Sequence, residues 1–393
     1  MKVLPLIFAT MVFLLYLIYE RISLNRHRNA IPLRISVTGT RGKSSVVRMI
    51  ASVLREDGRK VIAKTTGSQA RLVLPDAHEV EVTRRGVTSI IEQKRLLKAA
   101  VKIKADCLVA EIMSLHPENH YVESQQMLMP HIVVITNVRE DHTEAMGKTK
   151  EAIAAVLSLD IPAKAKVFVP EKENRPLFET AVKEAAGELI VVPEEAAISL
   201  LRQAPDLHRK EFRSNLDLVY GLGQHLHIDP NVILNGIRRA RHDIGKFAIW
   251  KYRSPDAKKT FYLVNGFAAN DPESTCQLLA KVKAILPPAG GQVIGLLNLR
   301  ADRGDRTKQW LEFLRRSSLD DFNRIYVVGA HAQIFRRKLK IVSLLKSQLP
   351  QTIMKTFLAE LEDQSVIFGC GNIKGAGELL VDHWNIIGEA YEL

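Results

Sequence analysis

A short glycine-rich segment near the start of the chain carries a lysine followed by two serines. It reads Gly39-Thr40-Arg41-Gly42-Lys43-Ser44-Ser45, after the apolar run Leu33–Thr38 and before the helical pattern Ser44–Asp57. Glycines let backbone N–H groups turn toward an anion, and the first turn of a helix adds a partial positive charge. In such a loop the lysine reaches the β- and γ-phosphates of a nucleotide, and the next hydroxyl binds Mg²⁺. We therefore predict a nucleotide-binding loop, with Lys43 on the phosphates and Ser44 on a metal ion.

The match to the general phosphate-loop pattern is incomplete. The pattern G-x-x-x-x-G-K has an earlier glycine at the position that Val37 occupies here, so the match is to the shorter form G-x-x-G-K-S. The alternative interpretation is an ordinary strand-to-helix turn that happens to contain Gly-Lys-Ser.

Three further polar side chains lie at or beyond the ends of two other predicted strands. Glu111 lies near the end of Cys107–Ile112, Asn137 ends Ile132–Asn137, and His142 comes shortly after. Because open α/β sheets bind ligands at the carboxyl ends of their strands, we expect these side chains to surround one crevice. A carboxylate and a neutral imidazole can hold a second Mg²⁺ that bridges the γ-phosphate and an acceptor oxygen. The alternatives are that Glu111 caps a helix and that His142 is an ordinary surface residue.

The elements that position these residues alternate along the chain. Apolar runs between helical patterns predict an α/β fold with a largely parallel sheet. The predicted strands are Leu33–Thr38, Val61–Lys64, Cys107–Ile112, Ile132–Asn137, Val167–Pro170, Phe261–Val264, Val293–Asn298, Ile325–Gly329 and Val366–Gly369. One long helical pattern covers Asn215–Arg241, after which strands resume. We predict an N-terminal anchor with its basic flank (1–28), a central domain with the phosphate loop (29–244) and a C-terminal Rossmann-like α/β domain (245–393).

The first residues of the chain form an apolar segment. Val3–Tyr19 contains 17 residues and no charge, and as a helix it would be ~25 Å long, near the lower limit for crossing a bilayer. Arg21, Arg26 and Arg28 come after it, whereas Lys2 alone precedes it, and this asymmetry predicts that the rest of the chain is cytoplasmic. The alternative is a cleaved signal peptide, but no small-x-small cleavage site is present after the apolar segment. We therefore predict a single-pass protein of the cell membrane.

Composition excludes several classes of protein. The chain has 393 residues, of which 46% are hydrophobic and 25% charged, which is typical of globular proteins and not of disordered or fibrous ones. Its three cysteines, Cys107, Cys276 and Cys370, are far apart, which excludes a disulfide scaffold and a cysteine-rich zinc site. The net charge of +13 suggests an anionic partner such as phospholipid, nucleic acid or an acidic substrate. Nucleic acid is the least favoured of these partners, because only 6% of the residues are aromatic and the sequence contains no nucleic-acid-binding motif.

Several blocks together resemble a known enzyme family. The phosphate loop, Glu111 and the block Asn137–His142 resemble the ATPase domain of Mur-type amide ligases, which include folylpolyglutamate synthases. The resemblance is closer to the ligase subunit of bacterial poly-γ-glutamate synthases, and it covers nearly the whole chain. Four further blocks carry it: Lys64–Arg71, Val264–Asp271, Arg300–Thr307 and Gly369–Gly375. In contrast to the cell-wall ligases, we expect no domain for a UDP-linked substrate before the phosphate loop.

The resemblance implies a reaction and its partners. It implies an ATP- and Mg²⁺-dependent ligase that activates a carboxylate as an acyl phosphate, which an amine attacks to form a γ-glutamyl amide bond. The implied partners are glutamate, the growing poly-γ-glutamate chain and membrane subunits of a synthase and export complex, without nucleic acid. A homo-oligomer is compatible with this interpretation.

The resemblance also implies roles for residues outside the phosphate loop. Thr65 and Thr66 would line the phosphate pocket, and Asn215 stands where Mur-type ligases have an asparagine that recognises adenine, with helix capping as its alternative. Arg303 and Arg306 would contact the nucleotide or the acceptor, unless they belong to a mutually paired surface cluster. Asn265 and Asn270 would bind substrate, although cell-wall ligases have different residues there. Lys166 is near the place of a carbamylated lysine in some Mur ligases, but we interpret it as a surface lysine.

Two alternatives to this function remain open. One is a Mur- or folylpolyglutamate-type ligase that uses another amino acid or acceptor. The other is a membrane-tethered phosphate-loop ATPase that binds nucleic acid, for which the basic net charge is the only support.

Overall fold

The computed structural model describes residues 4–66, 70–82, 88–173, 175–204, 207, 212–241, 247–255, 258–286, 290–316, 322–339 and 342–391. The chain separates into two compact units, Met1–Arg241 and His242–Leu393. The predicted boundary after residue 244 lies outside the described residues and stays a prediction. Residues 67–69, which belong to the block Lys64–Arg71, also lie outside the described residues.

The first unit is built on an eight-stranded sheet in the order β4-β3-β2-β5-β1-β6-β7-β8. Its strands are β1 (Leu33–Thr38), β2 (Val61–Thr65), β3 (Arg71–Val73), β4 (Glu79–Glu81), β5 (Cys107–Glu111), β6 (Ile132–Ile135), β7 (Lys166–Pro170) and β8 (Glu188–Val192). The pairs β2–β3 and β3–β4 are antiparallel, and all other neighbouring pairs are parallel. We call the edge where the parallel strands end the carboxyl edge, and the edge where they begin the amino edge. The predicted strand Ile132–Asn137 ends at Ile135, so Asn137 lies just beyond it.

Helices cover both faces of this sheet. They are α1 (Leu4–Asn29), α2 (Lys43–Glu56), α3 (Glu92–Lys102), α4 (Pro117–Tyr121), α5 (Thr143–Met146), α6 (Lys150–Ser158), α7 (Pro176–Glu184), α8 (Ile198–Gln203), α9 (Arg213–His225) and α10 (Pro230–Arg239). A π-helix, Val122–Leu128, continues α4. On one face, α2, α9 and α10 pack on the central strands; on the other, α3 and the π-helix form a cluster with Leu24 of α1.

The prediction of one long helix over Asn215–Arg241 is wrong. Two helices occupy this stretch, because Pro230 has no N–H for a helix that continues from α9 and instead starts α10. Asp229 caps the new helix, since its carboxylate accepts a hydrogen bond of 2.8 Å from the backbone N–H of Asn231.

The second unit has a seven-stranded sheet in the order β13-β12-β11-β14-β10-β9-β15. Its strands are β9 (Ala248–Arg253), β10 (Thr260–Asn265), β11 (Val293–Leu299), β12 (Arg324–Gly329), β13 (Val342–Leu344), β14 (Ser365–Gly371) and β15 (Glu389–Ala390). β9 pairs antiparallel with β10 and β15, and the remaining pairs are parallel. The helices are α11 (Pro272–Ile285), α12 (Gly304–Arg316), α13 (Ala332–Lys338), α14 (Pro350–Glu360) and α15 (Ala376–Ile387). All nine predicted strands are present and pair in parallel, and the predicted α/β class is confirmed.

Candidate active site

The predicted phosphate loop forms a tight turn at the carboxyl edge. β1 ends at Thr38, and Gly39 and Gly42 adopt φ values of 122° and 78° before α2 begins at Lys43. A Cβ at Gly39 would lie 2.3 Å from the hydroxyl of Thr136, and one at Gly42 would lie 2.9 Å from the side-chain oxygen of Asn215. Both positions therefore require glycine, for backbone conformation and for space. The loop wraps closely around the start of α2, as an anion-binding turn does.

Lys43 and Ser44 each have a partner at the edge of this loop. The Lys43 ammonium donates a hydrogen bond of 2.6 Å to the carbonyl oxygen of Gly39, so it folds back over the loop. The hydroxyl of Ser44 donates a hydrogen bond of 2.7 Å to Oε2 of Glu111, and the backbone N–H of Thr66 donates to the same oxygen at 2.7 Å. The structure therefore brings Ser44, Thr66 and Glu111 together at the carboxyl edge.

Asn137, just beyond the end of β6, forms hydrogen bonds with the phosphate loop. Its side-chain oxygen accepts hydrogen bonds from the Thr40 hydroxyl (2.8 Å) and the Arg41 N–H (3.1 Å), and its amide donates to the Arg41 carbonyl (3.1 Å). The Thr40 hydroxyl in turn accepts from the N–H of Arg139 at 2.8 Å. The Asn137 amide therefore holds the shape of the loop.

His142 lies on the same loop after β6 and is held through Asp141. It has a φ of 51° and precedes α5, and its Nε2 lies 3.5 Å from the Asp141 carboxylate. That carboxylate is buried and lies 3.3 Å from the Arg41 guanidinium, which links the His142 loop to the phosphate loop. Glu111 thus contacts Ser44 and Thr66, whereas His142 contacts Asp141. Within the described ranges, no group of three or more His, Cys, Asp or Glu side chains is arranged to hold a metal ion.

Thr65 and Asn215 also lie beside the loop. Thr65 is the last residue of β2, and its hydroxyl is buried with no hydrogen-bond partner in the described part of the chain. The amide of Asn215 is buried and faces Gly42 closely enough to exclude a side chain there. The N-cap of α9 is Phe212, so Asn215 is not that cap.

A buried histidine–aspartate pair beside the phosphate loop was not predicted from the sequence. Asp160 accepts a hydrogen bond of 2.5 Å from the hydroxyl of Thr38, the last residue of β1, and its Oδ2 lies 2.9 Å from Nδ1 of His120. Burial by itself lowers the pKa of His120, but the charge and hydrogen bond of Asp160 outweigh it and raise that pKa. The charge of Lys43 acts on His120 in the opposite direction. His120 and Asp160 are distant in sequence, so no motif spacing could have revealed the pair.

A second buried carboxylate supports the loop after β5. Glu123 accepts hydrogen bonds from the N–H of Ser114 (3.0 Å), the hydroxyl of Ser114 (2.5 Å) and the amide of Gln93 (2.5 Å). Burial raises the pKa of Glu123, although these hydrogen bonds act against the rise. The Gln93 amide also donates to the backbone carbonyl of Glu111 at 3.3 Å, so this cluster fixes the strand end that carries Glu111.

Arg303, Arg306 and Asn270 each contact another residue of the second unit. Arg303 pairs with Asp305 at 3.1 Å, and the guanidinium of Arg306, which is buried, donates to the Asn372 side chain at 2.7 Å. Asn265 is buried at the end of β10, and the carbonyl of Asn270 accepts from the Trp310 indole at 2.9 Å. Arg303 therefore pairs within the charged cluster, as in the alternative of a mutually paired surface cluster, whereas Arg306 is buried and bonds a residue outside that cluster. Roles of these residues in ligand binding stay predictions.

Lys166 lies at the opposite edge of the first sheet. It is the first residue of β7, hence at the amino edge, and its ammonium is 3.0 Å from His225 and 3.5 Å from Glu188. It is 44% exposed, which agrees with an ordinary surface lysine.

Comparisons with known proteins cover both units. A model described as the Mur ligase middle domain matches residues 37–233, and one described as the poly-gamma-glutamate synthase CapB C-terminal domain matches residues 250–386. PGA synthase CapB of Bacillus subtilis (strain 168) is 31% identical over 397 residues, which cover 96% of this chain and 96% of that protein.

Solved structures show the same fold at low identity. E. coli FolC in complex with ADP has a TM-score of 0.68 at 17% identity, covering 93% of this chain and 94% of its own. The Yersinia pestis bifunctional folylpolyglutamate synthase/dihydrofolate synthase complexed with AMPPNP and Mn has a TM-score of 0.66 at 13% identity, covering 93% of both chains. Because the family models and the curated relative span nearly the whole sequence, the chain belongs to the CapB family of Mur-type ligases, the ATP-dependent amide ligases.

Proposed function

We propose that this chain forms γ-glutamyl amide bonds from ATP, an acid and an amine, and so polymerises glutamate. The observation that carries the proposal is the contact of Ser44, in the phosphate loop, with the buried carboxylate of Glu111. This contact places a hydroxyl and a carboxylate beside the anion-binding turn, over which the Lys43 ammonium folds back to the Gly39 carbonyl. The relative named PGA synthase CapB supports glutamate as the monomer.

The proposed reaction needs charge neutralisation and alignment more than a covalent nucleophile. The acid's carboxylate takes the γ-phosphoryl group of ATP, which gives an acyl phosphate and ADP. The amine of the second substrate then attacks the carbonyl carbon, the C–N bond forms, phosphate leaves and the amine gives up a proton. The Lys43 ammonium, which now bonds the Gly39 carbonyl, would turn to the β- and γ-phosphates, and the N–H groups of the loop would hold them.

The donor set fits magnesium. The Ser44 hydroxyl and the Glu111 carboxylate are oxygen ligands of the kind that Mg²⁺ prefers, and they already touch. We propose that these two residues hold one ion and that Glu111 and His142 contribute to a second. When bound, Mg²⁺ would supply charge neutralisation between the phosphates and the acceptor carboxylate. Thr65, whose buried hydroxyl has no partner in the described part of the chain, would face the phosphates, and Asn215 would lie near the adenine side of the loop.

We further propose that α1 anchors the enzyme in the cell membrane with both units in the cytoplasm. Among the described residues one helix, Pro5–Asn29, is long and apolar enough to cross a bilayer, with a mean hydropathy of 1.7 in an 18-residue window. The proposed partners are membrane subunits that receive the growing poly-γ-glutamate chain, since the relative is named as a PGA synthase.

The test is phosphate release from ATP by the full chain in detergent or vesicles, with glutamate and with other single amino acids. Glutamate should stimulate release, and hydroxylamine should trap the activated acid as a hydroxamate. Lys43→Ala should lower the rate about 100-fold, the effect of losing one charge-stabilising donor. Lys60→Ala, an exposed lysine near the far end of α2, is the matched control and should keep the wild-type rate. Stimulation by another amino acid or by a folate-type acceptor, but not by glutamate, would favour the alternative Mur-type substrate.

A further inference from the structure

The last turns of α1 are docked on the first unit by residues spaced four apart. Glu20, Leu24 and Arg28 lie on one helix face, because residues four apart are neighbours on a helix. Glu20 accepts a hydrogen bond from Lys94 of α3, and Arg28 donates to the carbonyl of Gln126 in the π-helix at 3.3 Å. Leu24 is buried among apolar side chains of α3 and the π-helix. The last turns of α1 are therefore packed on the first unit and held by specific contacts.

The contacts at its C-terminal end place that end at the amino edge of the sheet. Arg34, the second residue of β1, is buried and donates hydrogen bonds to the carbonyl oxygens of Arg28 (2.8 Å) and Ile31 (3.0 Å). The same guanidinium donates to the carbonyl of Leu128, the last residue of the π-helix, at 3.1 Å. One buried side chain therefore ties the end of α1 to the beginning of β1.

The contact at Glu20 lies at the opposite edge. Its partner Lys94 is the neighbour of Gln93, whose amide donates to the backbone carbonyl of Glu111, the last residue of β5. From residue 28 back to residue 20, α1 thus runs from the amino edge to the carboxyl edge, where the phosphate loop lies.

The rest of α1 continues in the same direction. Between Leu6 and Asn29 the helix contains neither proline nor glycine, the usual causes of a sharp kink, so its free and docked parts form one rod. Residues 4–19 extend it by ~24 Å at the helical rise of 1.5 Å per residue. All described side chains from Pro5 to Tyr19 are exposed, although nearly all are apolar.

We propose that the carboxyl edge of the first sheet, with its phosphate loop, faces the lipid bilayer. This inference rests on the membrane anchor proposed above. Ile91, at the N-terminus of α3, supports it: it is 54% exposed, lies one turn before Lys94 and is therefore on the face toward α1 and nearer to the apolar rod. Tyr19 and Ile22, which flank the Glu20 contact on α1, are 70% and 61% exposed. These side chains form an apolar border where the headgroup layer would begin.

This orientation has a consequence for the reaction. The nucleotide enters, and the anionic product leaves, in the layer of solvent next to the membrane. The growing chain end is then close to any membrane partner that accepts it, and does not have to travel around the enzyme.

Two labels on one helix test the orientation. The full chain carries Cys276→Ser, since Cys276 is the partly exposed cysteine and the other two are buried. Ile91→Cys or Lys102→Cys is then labelled with a nitrobenzoxadiazole dye, in phosphatidylcholine vesicles with headgroup-nitroxide lipid. The two sites are at opposite ends of α3, ~16 Å apart along its axis. Quenching of the Ile91 label should exceed that of the Lys102 label about twofold or more, because Ile91 is the nearer to the bilayer by this distance. Equal quenching, or stronger quenching at Lys102, would overturn the orientation.

Alkaline extraction of the same vesicles separates this inference from the proposal on which it rests. Protein that is released shows that α1 does not span, so the anchor fails and the orientation with it. Protein that is retained but quenched equally at both sites rejects the orientation and leaves the anchor in place. Glutamate-dependent phosphate release by the labelled proteins, measured in parallel, tests the ligase reaction independently of both.

Discussion

Glu111 has a buried carboxyl group beside the phosphate loop and already accepts hydrogen bonds from Ser44 and Thr66. Glu111→Gln keeps the shape and one acceptor oxygen but removes the charge. We expect the Mg²⁺ concentration for half-maximal phosphate release to rise about tenfold or more, a loss of the size seen when groups around a metal are changed. His142→Ala should shift the Mg²⁺ titration in the same direction.

Exposed residues nearby serve as controls for this metal titration. Glu118→Gln and His116→Ala change the same residue types at exposed positions after β5 and should leave the Mg²⁺ requirement at the wild-type value. An unchanged Mg²⁺ titration of Glu111→Gln would remove this carboxylate from the proposed metal site.

The buried His120–Asp160 pair predicts a specific dependence of stability on pH. The folded protein raises the pKa of His120, so the protonated pair stabilises the fold fully below the unfolded pKa of about 6.5. This contribution is lost as pH rises through the higher folded pKa. Urea unfolding at a series of pH values above 6.5 should therefore show a steeper loss of the wild-type free energy of unfolding than His120→Gln shows. Parallel curves for the two proteins would contradict a raised pKa.

The ends of α2 show how one element fixes the phosphate loop. Gly42 before the helix and Gly58 after it both have a positive φ, 78° and 81°. A Cβ at Gly42 would meet the Asn215 amide at 2.9 Å, whereas one at Gly58 would meet nothing within 4 Å. Gly58→Ala should therefore cost only the backbone strain, about 1–2 kcal/mol of unfolding free energy.

Gly42→Ala should cost more than Gly58→Ala and should also weaken nucleotide binding, because Asn215 or the loop has to move. The measurements are urea unfolding and binding of a fluorescent ATP analogue to both variants. If Gly42→Ala binds the analogue as tightly as Gly58→Ala, the close packing of Asn215 on the loop does not matter for the nucleotide.

Elements with strong local signals were predictable from the sequence. The apolar runs of the central strands and the pattern of α2 depend on neighbours in sequence, and both are present. The short strands β3 and β4 lack a long apolar run, and their pairing depends on partners across the sheet. The break at Pro230 was readable in principle, since proline cannot continue a helix, but the apolar pattern on either side obscured it.

In the candidate site, too, only residues with a local sequence signal were predictable. Lys43, Ser44 and Glu111 carry local motif signals, and the contact of Ser44 with Glu111 agrees with the rule that parallel strands end at one edge. The supporting pairs have no motif that would predict them. Asp160 contacts Thr38 of β1 and His120 of α4, and Glu123 of the π-helix contacts Gln93 of α3. These contacts join residues far apart in sequence and are decided by packing.

For the whole molecule, α1 has two separable parts. Residues 4–19 are free, whereas Glu20, Leu24 and Arg28 are docked on the first unit. The distribution of charge agrees with this division, since residues 1–19 hold one lysine and no acid, and nearly all of the positive excess lies beyond residue 19. Removing the first part should change where the protein is found, and removing both should also change how stable it is.

Two truncations separate these effects. A chain lacking residues 1–19 should no longer sediment with membranes, while its unfolding free energy and glutamate-dependent phosphate release stay at the wild-type values. A chain lacking residues 1–29 should also be released, but its unfolding free energy should fall by about 2–3 kcal/mol, the value of burying one leucine side chain. Urea unfolding and sedimentation of both proteins provide the measurements. Equal stability of the two truncated chains would show that the docked turns of α1 contribute nothing, and a membrane-bound 1–19 deletion would show that another part of the chain binds the membrane.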